Sequence, residues 1–134
     1  MTRALDAASF LLEIEGISSA AFVRCEGLGA RMEIVEHLEG GHGVRRFPGE
    51  IAHGNIVLER AVSADHELED WFQKGDRRDG AIVLLSPSGK EACRWAFTRG
   101  WPCRWEGPVL DARAREAALE LLEIAHEGVR WVAR

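Results

Sequence analysis

Apolar and polar positions along the chain alternate more often than they follow a helical period. Phe10-Leu-Leu-Glu-Ile-Glu-Gly16 is a short apolar run that turns alternating and stops at glycine, which predicts a strand. Ala20 to Glu26 predicts a second, closed by Gly27-Leu28-Gly29. Arg31 to Leu38 sets Met32 and Ile34 against Arg31 and Glu33, a third strand with a mixed outer face. Gly40-Gly41-His42-Gly43 breaks regular structure, and with Val44 to Gly49 it predicts a long loop punctuated by Pro48. Loops of that length inside a small domain usually bind something.

Asn55 to Arg60 reads as a strand, and the clearest helix follows it. Ser63 is placed to cap that helix, Asp65 and Glu67 suit its first turn, and Leu68, Trp71 and Phe72 share one face. Lys74-Gly75 ends it. After a charged connector from Gly75 to Gly80, Ala81 to Leu85 reads as a buried strand, Ser86 to Gly89 as a turn and Glu91 to Arg99 as the returning strand of a hairpin. Its expected core face is Cys93, Trp95, Phe97 and Arg99. Trp101 to Trp105 is a further short extended piece, ended by Gly107-Pro108. On local propensity alone Asp111 to Glu127 reads as a helix with Gly128 as its C-cap.

Composition narrows the class. A chain of 134 residues with 46% hydrophobic and 29% charged positions is one domain able to bury a core without disulfides or metals. No apolar run reaches the roughly 20 residues of a membrane-spanning helix, and Met1 to Ser9 has no apolar h-region, so neither a signal peptide nor membrane anchoring is expected. The net charge of −5 disfavours gripping nucleic acid by its phosphates. Cys25, Cys93 and Cys103 contain no Cys-x-x-Cys and cannot all pair, so free, buried thiols are expected.

Candidate chemistry is sparse. His37, His42 and His53 surround the glycine-rich stretch, but no histidine pair has the spacing that sets two imidazoles on one helical face. Cys25 with His37, or Cys103 with His126, sits in no catalytic signature. Gly27-Leu-Gly29 and Gly40-Gly-His-Gly43 precede no helix start and no Gly-Lys-Ser/Thr, so they read as turns and not as phosphate cradles. Trp95, Trp101 and Trp105 are read as core or subunit packing. No catalytic, cofactor or metal site is expected, and the profile suits an assembly subunit.

Eleven stretches in order carry a resemblance: Phe10-Leu-Leu-Glu-Ile-Glu-Gly-Ile17, Ala21-Phe22 to Leu28, Glu36-His-Leu-Glu-Gly-Gly41, Arg45-Arg-Phe-Pro-Gly49, Gly54-Asn-Ile-Val-Leu-Glu-Arg60, Trp71-Phe72, Gly80-Ala-Ile-Val-Leu-Leu85, Arg94-Trp-Ala-Phe97, Trp101-Pro102, Trp105-Glu-Gly-Pro108 and Ala125-His-Glu-Gly128. Together they resemble the tail tube protein family of contractile phage tails and extracellular contractile injection systems, related to type VI secretion tube proteins.

The resemblance implies a mainly β fold, a small sandwich or barrel, with one flanking helix at about Ser63 to Lys74 and a long extended inter-strand loop. It implies hexameric rings closed by edge strands and stacked into a hollow tube inside a sheath. Baseplate and spike proteins would be partners, and DNA or protein cargo would pass through without sequence-specific binding. Such a subunit would assemble in the bacterial cytoplasm and end in a phage tail or an injection particle. The loop Glu39, Gly40, Gly41, Arg45, Arg46, Phe47 and Pro48 would contact the neighbouring ring, and Leu68, Trp71 and Phe72 would pack the helix on the sheet. The segment ending at Gly128 would be a strand, against the local helix reading, because pairing in a barrel outweighs a few tenths of a kcal/mol per residue of propensity. The short stretch before Phe10 and the Arg-rich Asp111 to Glu116 depart from the family pattern and leave room for an initiator or adaptor ring between tube and spike. A different class, a small-ligand-binding or metal-binding β-barrel using His37, His42 and His53, is the competing expectation.

Overall fold

The computed structural model describes residues 9–17 and 22–132, so the beginning of the second expected strand lies outside it. Nine strands and one helix follow in order: β1 Phe10–Ile14, β2 Arg24–Glu26, β3 Ala30–Leu38, β4 Val44–His53, β5 Ile56–Ala61, α1 Glu67–Lys74, β6 Arg78–Leu85, β7 Glu91–Glu106, β8 Leu119–Ala125 and β9 Val129–Val132. Seven strands form one sheet in the order β1-β6-β7-β8-β5-β2, with β9 on the side of β7. Among the described residues the other two, β3 and β4, pair only with each other.

The long strand β7 makes the fold. Its first half lies between β6 and β9, and its second half pairs with β8. The change of partner comes at a bend where Arg99 takes a φ of 49° and a bulge follows between Pro102 and Arg104. The two halves of the sheet thereby fold onto one core. Leu12, Ile82 and Phe97 come from one half, and Ile56, Leu58, Leu122 and Ile124 from the other. This is the expected mainly β architecture with one helix.

Helix α1 is shorter than its sequence suggests. It begins at Glu67, and the expected cap Ser63 instead donates its hydroxyl to Asp65. The N-cap residue is His66, in the left-handed conformation and without a side-chain cap, and one residue before it the Asp65 carboxylate accepts the Glu67 N–H at 3.0 Å. Gly75 closes the other end in the left-handed conformation, its N–H bonded to Trp71 O. Leu68 and Trp71 are buried and Phe72 is half-buried. Under the helix entry Arg60 is 2% exposed, donating to Glu120 at 2.6 Å and to Asp65 at 2.7 Å.

Four further local readings need correction. Val44 to Gly49 is not loop but the first part of β4. Pro48 is tolerated because a two-stranded sheet has an edge on both sides. Trp101 to Trp105 is not a separate piece but the continuation of β7. Arg99 is exposed instead of lining the core, because the bend turns it outward and Gly100 takes the buried place. The local helix reading of Asp111 to Glu127 fails where β8 lies between β5 and β7 and satisfies its backbone on both sides. Strand β9 had no counterpart in the sequence reading.

A candidate assembly surface

Strands β3 and β4 form a projecting arm. Its root is held from two sides. At Gly27, just before β3, φ is 95°, and a Cβ there would stand 1.9 Å from the carbonyl oxygen of Asn55, just after β4. The chain's two passes through the root therefore touch backbone to backbone, which only glycine permits. On the other side the His126 imidazole bridges the Gly54 carbonyl, 2.9 Å from Nε2, and the Gly128 N–H, 3.0 Å from Nδ1. Asn55 donates to the Glu123 carboxylate at 2.7 Å, and that bond, with help from Arg104, holds the Glu123 carboxyl below its ordinary pKa.

Beyond the root the arm stands clear of the rest of the described residues. Every residue of β3 is exposed, and so is every residue of β4 except the half-buried Gly49. Seven of the thirteen large apolar side chains exposed among the described residues stand on it: Met32, Ile34, Val35, Leu38, Val44, Phe47 and Ile51. Cross-strand partners share a face. The pairs Met32–Ile51, Ile34–Pro48 and Leu38–Val44 therefore make one apolar face, interrupted only by the Glu36–Arg46 ion pair at 3.3 Å. The other face carries Val35 opposite Phe47 and His37 opposite Arg45. A two-stranded hairpin alone in water is marginal, so such a face calls for a partner.

The contact residues expected from sequence are thus divided. Arg45 lies over the Phe47 ring at 5.5 Å and pairs with Glu39 at 3.2 Å, while Arg46 and Pro48 sit on the opposite, apolar face. Gly40 and Gly41 form the tip turn, closed by the His42 N–H on Glu39 O at 2.7 Å. The sequence reading missed Leu38, Val44 and Ile51 as surface groups, although the alternation through Met32 and Ile34 was the signal that could have found them.

The main sheet offers edges as well. Among the described residues β1 and β2 end its path, and β9 has one neighbour and exposes Trp131. An edge strand leaves backbone donors and acceptors open to another chain.

The competing site chemistry does not assemble. His37 pairs across the arm with Arg45 near the tip, whereas His53 is eight residues farther along β4 at the root, about 26 Å at the rise of an extended strand. His53 instead faces His126, ring centres 5.7 Å apart. The three histidines therefore cannot share a metal. The cysteines also differ from the expectation of uniform burial: Cys93 is buried, Cys25 half-buried and Cys103 exposed.

Comparison with known proteins gives this arrangement a context. A family model described as the T4-like virus tail tube protein gp19 matches residues 6–130. The chain belongs to that tail tube family. A chain in the cryo-EM structure of the anti-feeding prophage (AFP) baseplate, 6-fold symmetrised, is 26% identical, with a TM-score of 0.85 over 99% of this chain and 98% of that one. A chain of the extended sheath-tube complex of PVC, an extracellular contractile injection system, has a TM-score of 0.88 at 21% identity, covering 98% of this chain and 93% of that one. Hcp1 from Flavobacterium johnsoniae shares the fold more loosely, with a TM-score of 0.61 at 14% identity over 94% of this chain and 96% of that one. No curated protein sequence matches. The fold of this tail tube protein is thus the one found in contractile injection systems.

Proposed function

We propose that this tail tube protein is a structural subunit of the inner tube of a phage tail or contractile injection apparatus. Six copies close into a ring through the edges of the main sheet. Rings stack into a hollow conduit, and the arm carries the contact to the next ring. The subunit's work is shape; sheath and baseplate proteins are its partners, and DNA or protein cargo passes through the lumen without sequence-specific binding. Subunits collect in the bacterial cytoplasm and finish in a phage tail or an injection particle.

The observation that carries this reading is the arm, an exposed two-stranded sheet with an apolar face that no other described residue covers. Family membership and the likeness to a chain from a 6-fold symmetrised baseplate support the ring. A contact between two different patches either closes into a ring or grows into a filament, and a stacked tube does both. Negative-stain electron microscopy of the concentrated protein tests the reading. Rings and tubes of uniform width are expected; a field of lone compact subunits would overturn it.

A further inference from the structure

The foot of the arm is fastened on two sides, and the two fastenings differ in chemistry. On one side the Gly27–Asn55 approach sets backbone against backbone and involves no titratable group. On the other side the links are polar. Asn55 donates to Glu123, and His126, just after β8, reaches the Gly54 carbonyl.

The His126 ring is committed at both nitrogens. The Gly128 N–H donates to Nδ1 at 3.0 Å, so Nδ1 offers its lone pair and the ring proton sits on Nε2. From there it is donated to the Gly54 carbonyl at 2.9 Å. Only the neutral imidazole, in this one tautomer, makes both bonds. A second proton would land on Nδ1 and set two N–H donors against each other, leaving the Gly128 N–H without its acceptor.

The surroundings offer an imidazolium little in return. The Phe97 ring lies on one side, 6.5 Å between ring centres, and His53 at the end of β4 faces it at 5.7 Å. Opposite His53, β3 brings only Ala30. Among the described residues the charged groups on the neighbouring strands and turn are Glu123 on β8, Glu127 after it, Arg99 and Arg104 on β7 and Arg130 on β9. Both carboxylates are already engaged, Glu123 by Asn55 and Arg104, and Glu127 by Arg77 and Arg99. A proton on His53 would add a like charge across the 5.7 Å gap.

We infer that His126 is an acid-sensitive pin at the foot of the arm: its neutral ring ties Gly54 to Gly128, and protonation at Nδ1 undoes the tie and frees the arm to swing about the Gly27–Asn55 contact. The fold holds the neutral ring, so the pin is set at higher pH and withdrawn as pH falls through the range in which histidines charge. The Asn55–Glu123 bond does not follow it. Asn55 and Arg104 hold the Glu123 carboxyl below its ordinary range, so it stays ionised there. This switch belongs to the single subunit and does not depend on the tube reading.

Nuclear magnetic resonance of the full chain as dissociated subunits tests it between about pH 8 and about pH 5. Three signals are followed: the His126 ring nitrogens, the Gly128 amide and the backbone order of residues 30–53. At the upper pH the ring should report the Nε2–H tautomer, and the arm should tumble with the main sheet. As His126 gains its proton, the Gly128 amide should lose on the order of tenfold in exchange protection, and arm order should fall with the same midpoint. His126→Asn keeps an acceptor for the Gly128 N–H that takes up no proton, and should abolish the pH dependence; His53→Gln should retain it. A His126 titration that leaves the Gly128 amide and the arm unchanged would overturn the pin, and so would an Nδ1–H tautomer at the upper pH or arm loosening that persists in His126→Asn. Should His126→Asn fail to fold, the wild-type titration alone decides.

Discussion

Strands β3 and β8 have similar patterns and opposite fates. In β8, Glu120, Leu122 and Ile124 alternate with Leu121 and Glu123, and the first three are buried because β5 and β7 flank the strand and the other half of the sheet covers it. In β3, Met32 and Ile34 alternate with Arg31 and Glu33 in the same way, yet all nine residues are exposed. The difference teaches that alternation reports a face meant to be covered, and says nothing about which chain provides the cover. In β8 the cover is intramolecular. In the arm the proposed tube leaves it to a neighbour.

That contrast can be broken in steps. The largest loss is expected in the main sheet. Phe97→Ala removes a ring that is 2% exposed and fills the space over Gly80 and Gly100, so unfolding in denaturant should show a loss of about 3–5 kcal/mol. Ile34→Ala on the arm should change the same measurement by less than about 0.5 kcal/mol. Equal losses would show that the arm is packed within its own chain.

Next comes the buried ion pair. Glu120→Ala leaves Arg60 without its main partner at 2% exposure, and a destabilisation of about 3 kcal/mol is expected by thermal melting. A near-neutral result would mean that water reaches Arg60.

A smaller effect belongs to Asp65. The Glu67 N–H first, then Ser63 and Arg60, hold its carboxyl below the usual carboxylate range. A group whose pKa is lowered on folding stabilises above its unfolded value, and that stabilisation is lost as pH falls through the folded one. Asp65→Ala should therefore cost about 1 kcal/mol near neutrality through the lost bonds from the Glu67 N–H and the Arg60 guanidinium. The gap from wild type should narrow below about pH 4. A gap that widens on acidification would contradict this sign.

The smallest effect on the isolated subunit comes from Arg45→Glu with Arg46→Glu. The second places a carboxylate opposite Glu36, which weakens the hairpin by a few tenths of a kcal/mol. Subunit melting should barely move, while tube length should fall sharply in micrographs. Unchanged tube length would remove these arginines from the contact.

Much of the molecule was legible in the sequence where one local signal dominated. Leu68, Trp71 and Gly75 marked the helix and its end. Ala81 to Leu85, Ser86 to Gly89 and the return through Cys93 and Phe97 marked a hairpin. Legibility failed where distant structure decided. The residues Leu121 and Leu122 favour a helix until β5 and β7 supply ladders on both sides of the chain. Pro48 and Gly49 read as loop because a bulge between Met32 and Ile34 absorbs the irregularity. Arg99 fell out of pattern because β7 bends there. The contact residues expected from sequence all fall on the arm formed by β3, β4 and the turn between them. Which face each occupies depends on the β3–β4 register, and no single strand contains that information.

The central claim is that the arm is completed by another copy. Amide hydrogen exchange across residues 30–53, compared between assembled tubes and dissociated subunits, tests it most directly. The account predicts fast exchange in the subunit and strong protection in the tube, with β8 protected in both. Equal exchange of the arm in the two states would contradict it.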